Sequence, residues 1–343
     1  MDPPLRVQAP ETRGVFHNGV MKRALLALLL CLPTLLAETF SLTEDGNRIK
    51  VAIDGEPFTS FYFGPEATKP YLHPLRSADG TIVTRGYPME AIDGEQTDHR
   101  HHRGAWFSHG NVNAIDFWAN EPEQRNRGLK KGVIAHTSIN SVKSGDDSGS
   151  ISATFDWNDL SGQTLVSERR TMVFRRVDGN NVVDFDIVLT AESDVVKFGD
   201  TKEGTFAVRI ATELEEQHFR AKGIARTGTI TNAHGAETEA NTWGKRSPWV
   251  DYAGSIAGKP KGIAIFDHPA NPKHPTYWHV RGYGLFAANI FGEHDFHADA
   301  SRDGSITITN GEKLRFRYRI IIHQGLDGGD AVERLFRAWA EAE

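Results

Sequence analysis

The sequence predicts an all-β protein, a large antiparallel β-sandwich with one α-helix at the C-terminus. Three observations carry that expectation. Apolar residues alternate with period two in several segments, clusters of Gly, Asp and Asn recur between those segments, and helical spacing is convincing only in the last stretch.

The elements follow in chain order. Ile151, Ala153 and Phe155 fall on one face of an extended segment, and residues 182–189 are rich in β-branched and aromatic side chains. Phe206, Val208 and Ile210 alternate, as do Ile306 and Ile308, and then Leu314, Phe316, Tyr318 and Ile320. Such alternation marks half-buried strands. Residues 145–149, 178–181 and 303–304 supply the turns between them. At the C-terminus Asp330 is placed to cap a helix and Glu333 follows three residues on. Val332, Leu335, Phe336 and Trp339 form an apolar stripe expected to pack on a sheet face. No linker, low-complexity tract or repeat interrupts residues 38–343, which read as a single domain.

The 343 residues carry 39 Lys+Arg and 45 Asp+Glu, a net charge of -6. A mildly acidic chain without a basic stripe argues against nucleic acid as its main partner. Met21-Lys22-Arg23 precedes an apolar run over residues 24–36, too short to span a membrane comfortably. A basic start, a short apolar run and Ala37 as the cleavage point read as a signal peptide over residues 21–37. Residues 1–20 lack signal character, so Met21 is the expected start. The protein is therefore expected to be periplasmic or secreted, and no integral membrane partner is evident. Cleavage would remove Cys31, the only cysteine. The mature chain then has no disulfide and no thiolate, and any metal site must be built from His, Asp and Glu.

The histidines cluster. His99, His101, His102 and His109 fall in one window, and His268, His274, His279, His294 and His297 in another. On an extended backbone His99 and His101 face one way and Arg100 and His102 the other. Two imidazoles so placed can share a metal or flank a substrate. Asp98 and Asp116 can orient them, and His109 can return across a turn at Gly110. The bland alternative is a polar loop of buried hydrogen bonds. The second window opens on Asp267-His268 and contains three prolines that fix an irregular loop. Residues 198–204 place Lys202 and Glu203 beside two glycines, either an exposed turn pair or acid–base groups. Residues 243–252 mix Trp243, Trp249 and Tyr252 with Arg246 and Asp251. Aromatic faces stack on sugars and Arg binds hydroxyls or carboxylates, but an aromatic core cluster fits the stretch as well.

The run from Asp98 to Trp118 resembles a bacterial family known as the PmoA family, also called methane oxygenase PmoA. The resemblance extends to residues 200–204, 243–246, 249–252 and 262–292, most of the mature chain. It implies a secreted, sugar-associated protein with a fold similar to the galactose-mutarotase-like supersandwich. It implies no agreed catalytic residues.

Three functions are therefore in view. The first is an exported carbohydrate-active enzyme, an epimerase, hydrolase or lyase acting on a sugar or sugar acid. His101, His109, His268 and His279 would move protons near neutral pH, with Glu203 or Asp267 as partner base. His102, Arg103, Lys202, Arg209, Trp243, Arg246 and Trp249 would hold the substrate. The second is a metal-dependent hydrolase or oxygenase with a divalent ion on His99, His101 and His109. The third is a non-catalytic glycan-binding module.

Overall fold

Alternating sequence builds two nine-stranded sheets. The computed structural model describes residues 1, 4, 8–11, 14, 39–123, 128–216, 223–326 and 328–342. The chain divides into two compact units, Met1–Leu36 and Ala37–Glu343, and both sheets belong to the second. The expected signal peptide, residues 21–37, lies outside the described residues.

The first sheet runs, in spatial order, through Tyr277–Val280, Leu285–Asn289, Gly204–Arg209, Ala105–His109, Tyr71–Leu72, Glu56–Tyr62, Arg48–Ile53, Thr39–Asp45 and Gly145–Asp146. The second runs through Thr229–Asn232, Trp249–Ile256, Lys259–Asp267, Lys313–His323, Asn180–Ala191, Thr164–Val177, Ser148–Asp159, Lys130–Lys143 and Ile115–Asp116. Pairing is antiparallel except between Ile115–Asp116 and Lys130–Lys143. Asp178 (φ 48°) and Gly179 (φ 74°) both take left-handed backbone, the two-residue turn whose twist matches the hairpin it closes.

The inner faces meet in one apolar core. Phe206 stacks on Tyr318 at 4.5 Å and meets Phe185 edge-on at 4.8 Å, while Phe107 packs on Phe316 at 5.6 Å. The strand Gly204–Arg209 differs from expectation, because it is buried along both faces. Its Phe206 and Val208 face the core as the alternation predicts. It lies inside the sheet, however, and its other face is covered by a layer containing Trp106, Trp118, Ala207, Leu285 and Ala287.

The C-terminal helix is Gly329–Ala340, and Val332, Leu335 and Phe336 pack on Val182, Trp249, Ala264, Phe266 and Ile321 of the second sheet. Asp330 does not cap it. Gly328 holds that position without a side-chain bond, and Asp330 lies in the first turn. The Glu333 carboxylate accepts instead from Trp249 Nε1 at 2.7 Å and Arg337 Nε at 2.6 Å.

A charged pair of the strand Thr164–Val177 lies within the sandwich. Arg170 Nε donates to Glu168 Oε1 at 2.7 Å, Trp157 Nε1 donates to Glu168 Oε2 at 2.8 Å, and both charged side chains are sealed from solvent. Removing one partner strands the other charge in a low dielectric. Glu168→Gln is expected to lower unfolding free energy by about 3–5 kcal/mol in urea titrations. The double variant Glu168→Leu/Arg170→Met, which buries no charge, is expected to recover most of that loss. Equal stability of Glu168→Gln and wild type would refute the prediction.

Candidate functional site

A cavity of about 380 Å³ opens on the outer face of the first sheet. Three segments bring most of the side chains to it.

The first is the loop before the strand Ala105–His109. His99 takes a positive φ of 42°, and the His102 amide donates to the His99 carbonyl at 2.9 Å. This is a turn, not the extended backbone that would have sent His101 and His102 to opposite sides. All three imidazoles therefore converge. His99 stacks on His102 at 4.8 Å and on Tyr283 at 5.2 Å, and His101 meets His102 edge-on at 4.3 Å. Asp98 does orient an imidazole, holding His99 Nδ1 at 2.8 Å. It also accepts from Arg85 at 2.7 Å and Arg209 at 3.3 Å. Burial works against its charge, but the His99 hydrogen bond and the two guanidiniums prevail and hold the carboxyl well below the usual range.

The second segment carries Thr201, Lys202 and Glu203. Its main chain is gripped from several sides. The Gly110 amide donates to the Glu203 carbonyl at 2.7 Å, Asn289 Nδ2 to the Thr201 carbonyl at 2.9 Å, and His109 Nε2 to the Gly199 carbonyl at 2.9 Å. Gly110 has to be glycine for this approach, since a Cβ there would lie 2.8 Å from the Glu203 carbonyl oxygen. Lys202 Nζ lies 3.3 Å from Glu203 Oε1.

The third segment is the strand Tyr277–Val280 with the loop after it, which presents His279, Arg281 and Tyr283. Arg281 pairs with Glu239 at 2.7 Å. Burial pushes the Tyr283 phenol up to about 12, against the pull of the Arg209 and Arg281 charges. Asp116 also reaches the cavity, and its Oδ1 accepts from the Trp118 and Ala119 amides, each at 2.8 Å. Burial raises its pKa, and those two hydrogen bonds oppose the rise.

Hydrogen-bond partners fix two of the imidazoles in opposite forms. Arg209 Nη1 lies 3.2 Å from His102 Nδ1. A guanidinium only donates, so Nδ1 accepts and the proton sits on Nε2. Burial, then the His101 and Arg209 charges, push the His102 pKa well below the ordinary value, so the ring stays neutral. His279 is the reverse case. Its Nδ1 lies 2.7 Å from the Lys202 carbonyl, which only accepts, so Nδ1 carries the proton and Nε2 keeps its lone pair. Burial lowers its pKa to about 4, with Glu203 pulling the other way.

Several predicted residues lie elsewhere. His109 is buried against Phe291 and Phe198 and serves as a tether of residue 199, its pKa lowered by burial to about 4. Arg209 is wholly buried beneath the cavity and supports its wall, bonded to His102 and lying 4.9 Å from the centre of the Tyr283 ring. Arg103 forms a two-pronged pair with Glu121 at 2.8 and 3.1 Å. Asp267 is buried and organises its own loop, accepting from Asn271 Nδ2 at 2.8 Å, His274 Nδ1 at 2.7 Å and the Thr276 amide at 2.9 Å. His268 lies by Trp339, at the outer face of the second sheet. Arg246 donates to the Lys273 and Pro275 carbonyls, both at 2.8 Å. Trp249 is core beneath the C-terminal helix, and Trp243 packs edge-on behind His279 at 6.3 Å. The aromatic stretch is thus packing rather than a sugar platform. His99 and His101 share the cavity, but His109 does not join them there. Among the described residues no group of three or more His, Cys, Asp or Glu is arranged to hold a metal ion.

The family model described as a family of unknown function, DUF6807, matches residues 48–337. The chain belongs to the DUF6807 family. No curated protein matches this DUF6807 chain. Among solved structures it is similar to galactose 1-epimerase from Lactobacillus acidophilus, with TM-score 0.39 and 7% identity over 85% of this chain and 100% of that one. It is similar to the GH36 alpha-galactosidase AgaA from Geobacillus stearothermophilus, with TM-score 0.37 and 7% identity over 83% of this chain, and it spans 40% of that enzyme's length. An aldose epimerase homologue from C. elegans matches with TM-score 0.31 and 8% identity, over 84% of this chain and 100% of its own. Likeness at these scores carries no activity, substrate or residue role to the DUF6807 protein. None of these matches bears the PmoA label. Among the described residues no helix is long and apolar enough to cross a membrane.

Sequence reasoning missed Arg281 and Tyr283. No local pattern marks them, because they stand on the turn after that strand, closed by the Gly284 amide on the Arg281 carbonyl at 2.8 Å.

Proposed function

We propose that this DUF6807 protein is an enzyme that moves protons on a sugar or sugar acid outside the cytoplasm. One observation carries the reading. Two buried, neutral imidazoles of opposite tautomer line one polar cavity of about 380 Å³. His279 supplies a bare Nε2 as base, and His102 supplies an Nε2–H donor for the oxygen on which charge develops. Glu203 is the partner carboxylate beside His279. Tyr283 adds a phenol that keeps its proton at neutral pH, and Lys202 and Arg281 supply positive charge for hydroxyl or carboxylate oxygens. The volume suits a mono- or disaccharide-sized ligand. Export rests on the signal-peptide character of residues 21–37, and the sugar-associated role agrees with what the PmoA-family resemblance implies. A metal-dependent reaction on His99, His101 and His109 is less well supported, since His109 is used as a tether away from the cavity.

The test is proton NMR in D₂O with the folded protein and a panel of free aldoses, uronic acids and their glycosides. Anomer exchange, deuterium uptake next to a carbonyl, or bond cleavage would each be visible. At least one is expected with wild type and none with Glu203→Gln. Folded wild type that acts on no member of the panel would overturn the reading.

A further inference from the structure

The imidazoles of the cavity differ in their access to water. Among the described residues His99, His101, His102 and His279 line it. The last three are exposed by 4% or less, whereas the His99 side chain keeps 40% of its surface open. A sealed base such as His279 has no direct way to discharge a proton to solvent.

His99 is nonetheless held firmly. Arg85 Nη2 donates to its carbonyl at 3.1 Å. Asp98 divides its carboxylate between two tasks. Its Oδ1 takes Arg85 and Arg209, both sealed from solvent, and its Oδ2 takes His99 Nδ1 at 2.8 Å. An ionised carboxylate only accepts, so His99 Nδ1 carries a proton and Nε2 is the atom left to gain or lose one. The ring faces are flanked by His102 and Tyr283, nearly parallel at 11° and 10°. His101 stands across at 5.8 Å and 62°. The edge that carries Nε2 is therefore the part of the ring that meets water and the cavity.

We propose that His99 is the proton relay of this cavity, a catalytic group that passes protons between substrate and bulk water, with Asp98 as its positioning residue. The proposal rests on the acid–base function given to the same cavity. A proton leaving the substrate bonds to Nε2 and makes an imidazolium, and Nε2–H then gives it to water. The reverse sequence returns one. Only bonds to hydrogen change at His99, so no oxidant or reductant is required. Imidazole is the side chain suited to this near neutral pH.

The test uses any panel member that folded wild type turns over. In dilute buffer His99→Ala is expected to lower turnover by about a hundredfold, and added imidazole to restore it by about tenfold. His279→Gln, whose site is sealed, is expected to gain nothing from imidazole. His99→Gln, which fills the space and can still donate to Asp98, is a second variant should His99→Ala fold poorly. It is expected to be as slow and to resist rescue. Asp98→Asn is expected to lower kcat with KM held, and to weaken the Nδ1 protonation of His99 seen by nitrogen-15 NMR. Without substrate, diethylpyrocarbonate is expected to acylate His99 ahead of His101, His102 and His279. Wild type inactive on the whole panel would overturn the acid–base function and the relay with it. Active wild type with His99→Ala and His99→Gln equally fast, with His99→Ala slow but unmoved by imidazole, or with His99 acylated after the sealed rings would overturn the relay alone.

Discussion

Acidification from pH 6.5 to pH 4 is expected to remove most of the folding free energy of this protein. Burial lowers the pKa values of His73, His109 and His279 to about 4, chiefly because the low dielectric disfavours the imidazolium. In the unfolded chain these rings titrate near about 6.5. The folded state therefore binds fewer protons between those values, and stability falls as pH falls through the window. Above pH 6.5 the contribution is complete, and below pH 4 it has been lost. Each ring contributes roughly 3 kcal/mol over the window, and three together roughly 10 kcal/mol, comparable with the whole stability of an ordinary domain. The buried carboxyls Glu95, Asp116 and Glu215, whose pKa values burial raises, act in the opposite sense and offset part of the loss. Urea titrations at steps from pH 7.5 to 4 measure the slope directly. His73→Gln, away from the cavity, is expected to reduce the slope by close to one proton, about 1.4 kcal/mol per pH unit. A flat stability profile between pH 6.5 and 4.5 would sink this account.

The second large effect concerns His279. Replacing it with Gln is expected to lower turnover by about a hundredfold to ten-thousandfold, the usual contribution of a positioned acid or base. The glutamine amide can still donate to the Lys202 carbonyl, so the loop is expected to hold while the proton acceptor is lost. The underlying state can be read without any substrate. Nitrogen-15 NMR is expected to find His279 protonated on Nδ1 and His102 on Nε2, neither of them titrating between pH 5 and 8. A His279 ring protonated on Nε2, or one that titrates near pH 6.5, would contradict the role given to it.

The strands and the helix were legible because each rests on a local period. The core rows Ile151-Ala153-Phe155 and Phe316-Tyr318-Ile320 needed nothing beyond alternation. The site was legible as composition but not as geometry. His101, His102, Lys202, Glu203 and His279 do line one cavity. Their meeting depends on a left-handed residue at His99 and on the pairing of Gly204–Arg209 with Ala105–His109, which no local pattern encodes. The misplaced residues have the same cause. Arg209 and Trp249 look like ligand contacts in sequence, yet one lies inside a covered sheet and the other under a docked helix. Arg246 is engaged by carbonyls of a loop nearly thirty residues away.

The grip on residues 199–203 acts on main-chain carbonyls, through the side chains of His109, Asn289 and His279 and the Gly110 amide. The path of that segment is thus set mainly from outside it, with one internal bond from the Glu203 amide to Thr201 Oγ1 at 3.2 Å. Such a segment works as an interchangeable bit in a fixed holder. Exchanging Lys202 for other polar residues, with Glu203 kept as the partner carboxylate, alters what the cavity selects while leaving the holder intact, a ready starting point for redirecting the protein toward new substrates.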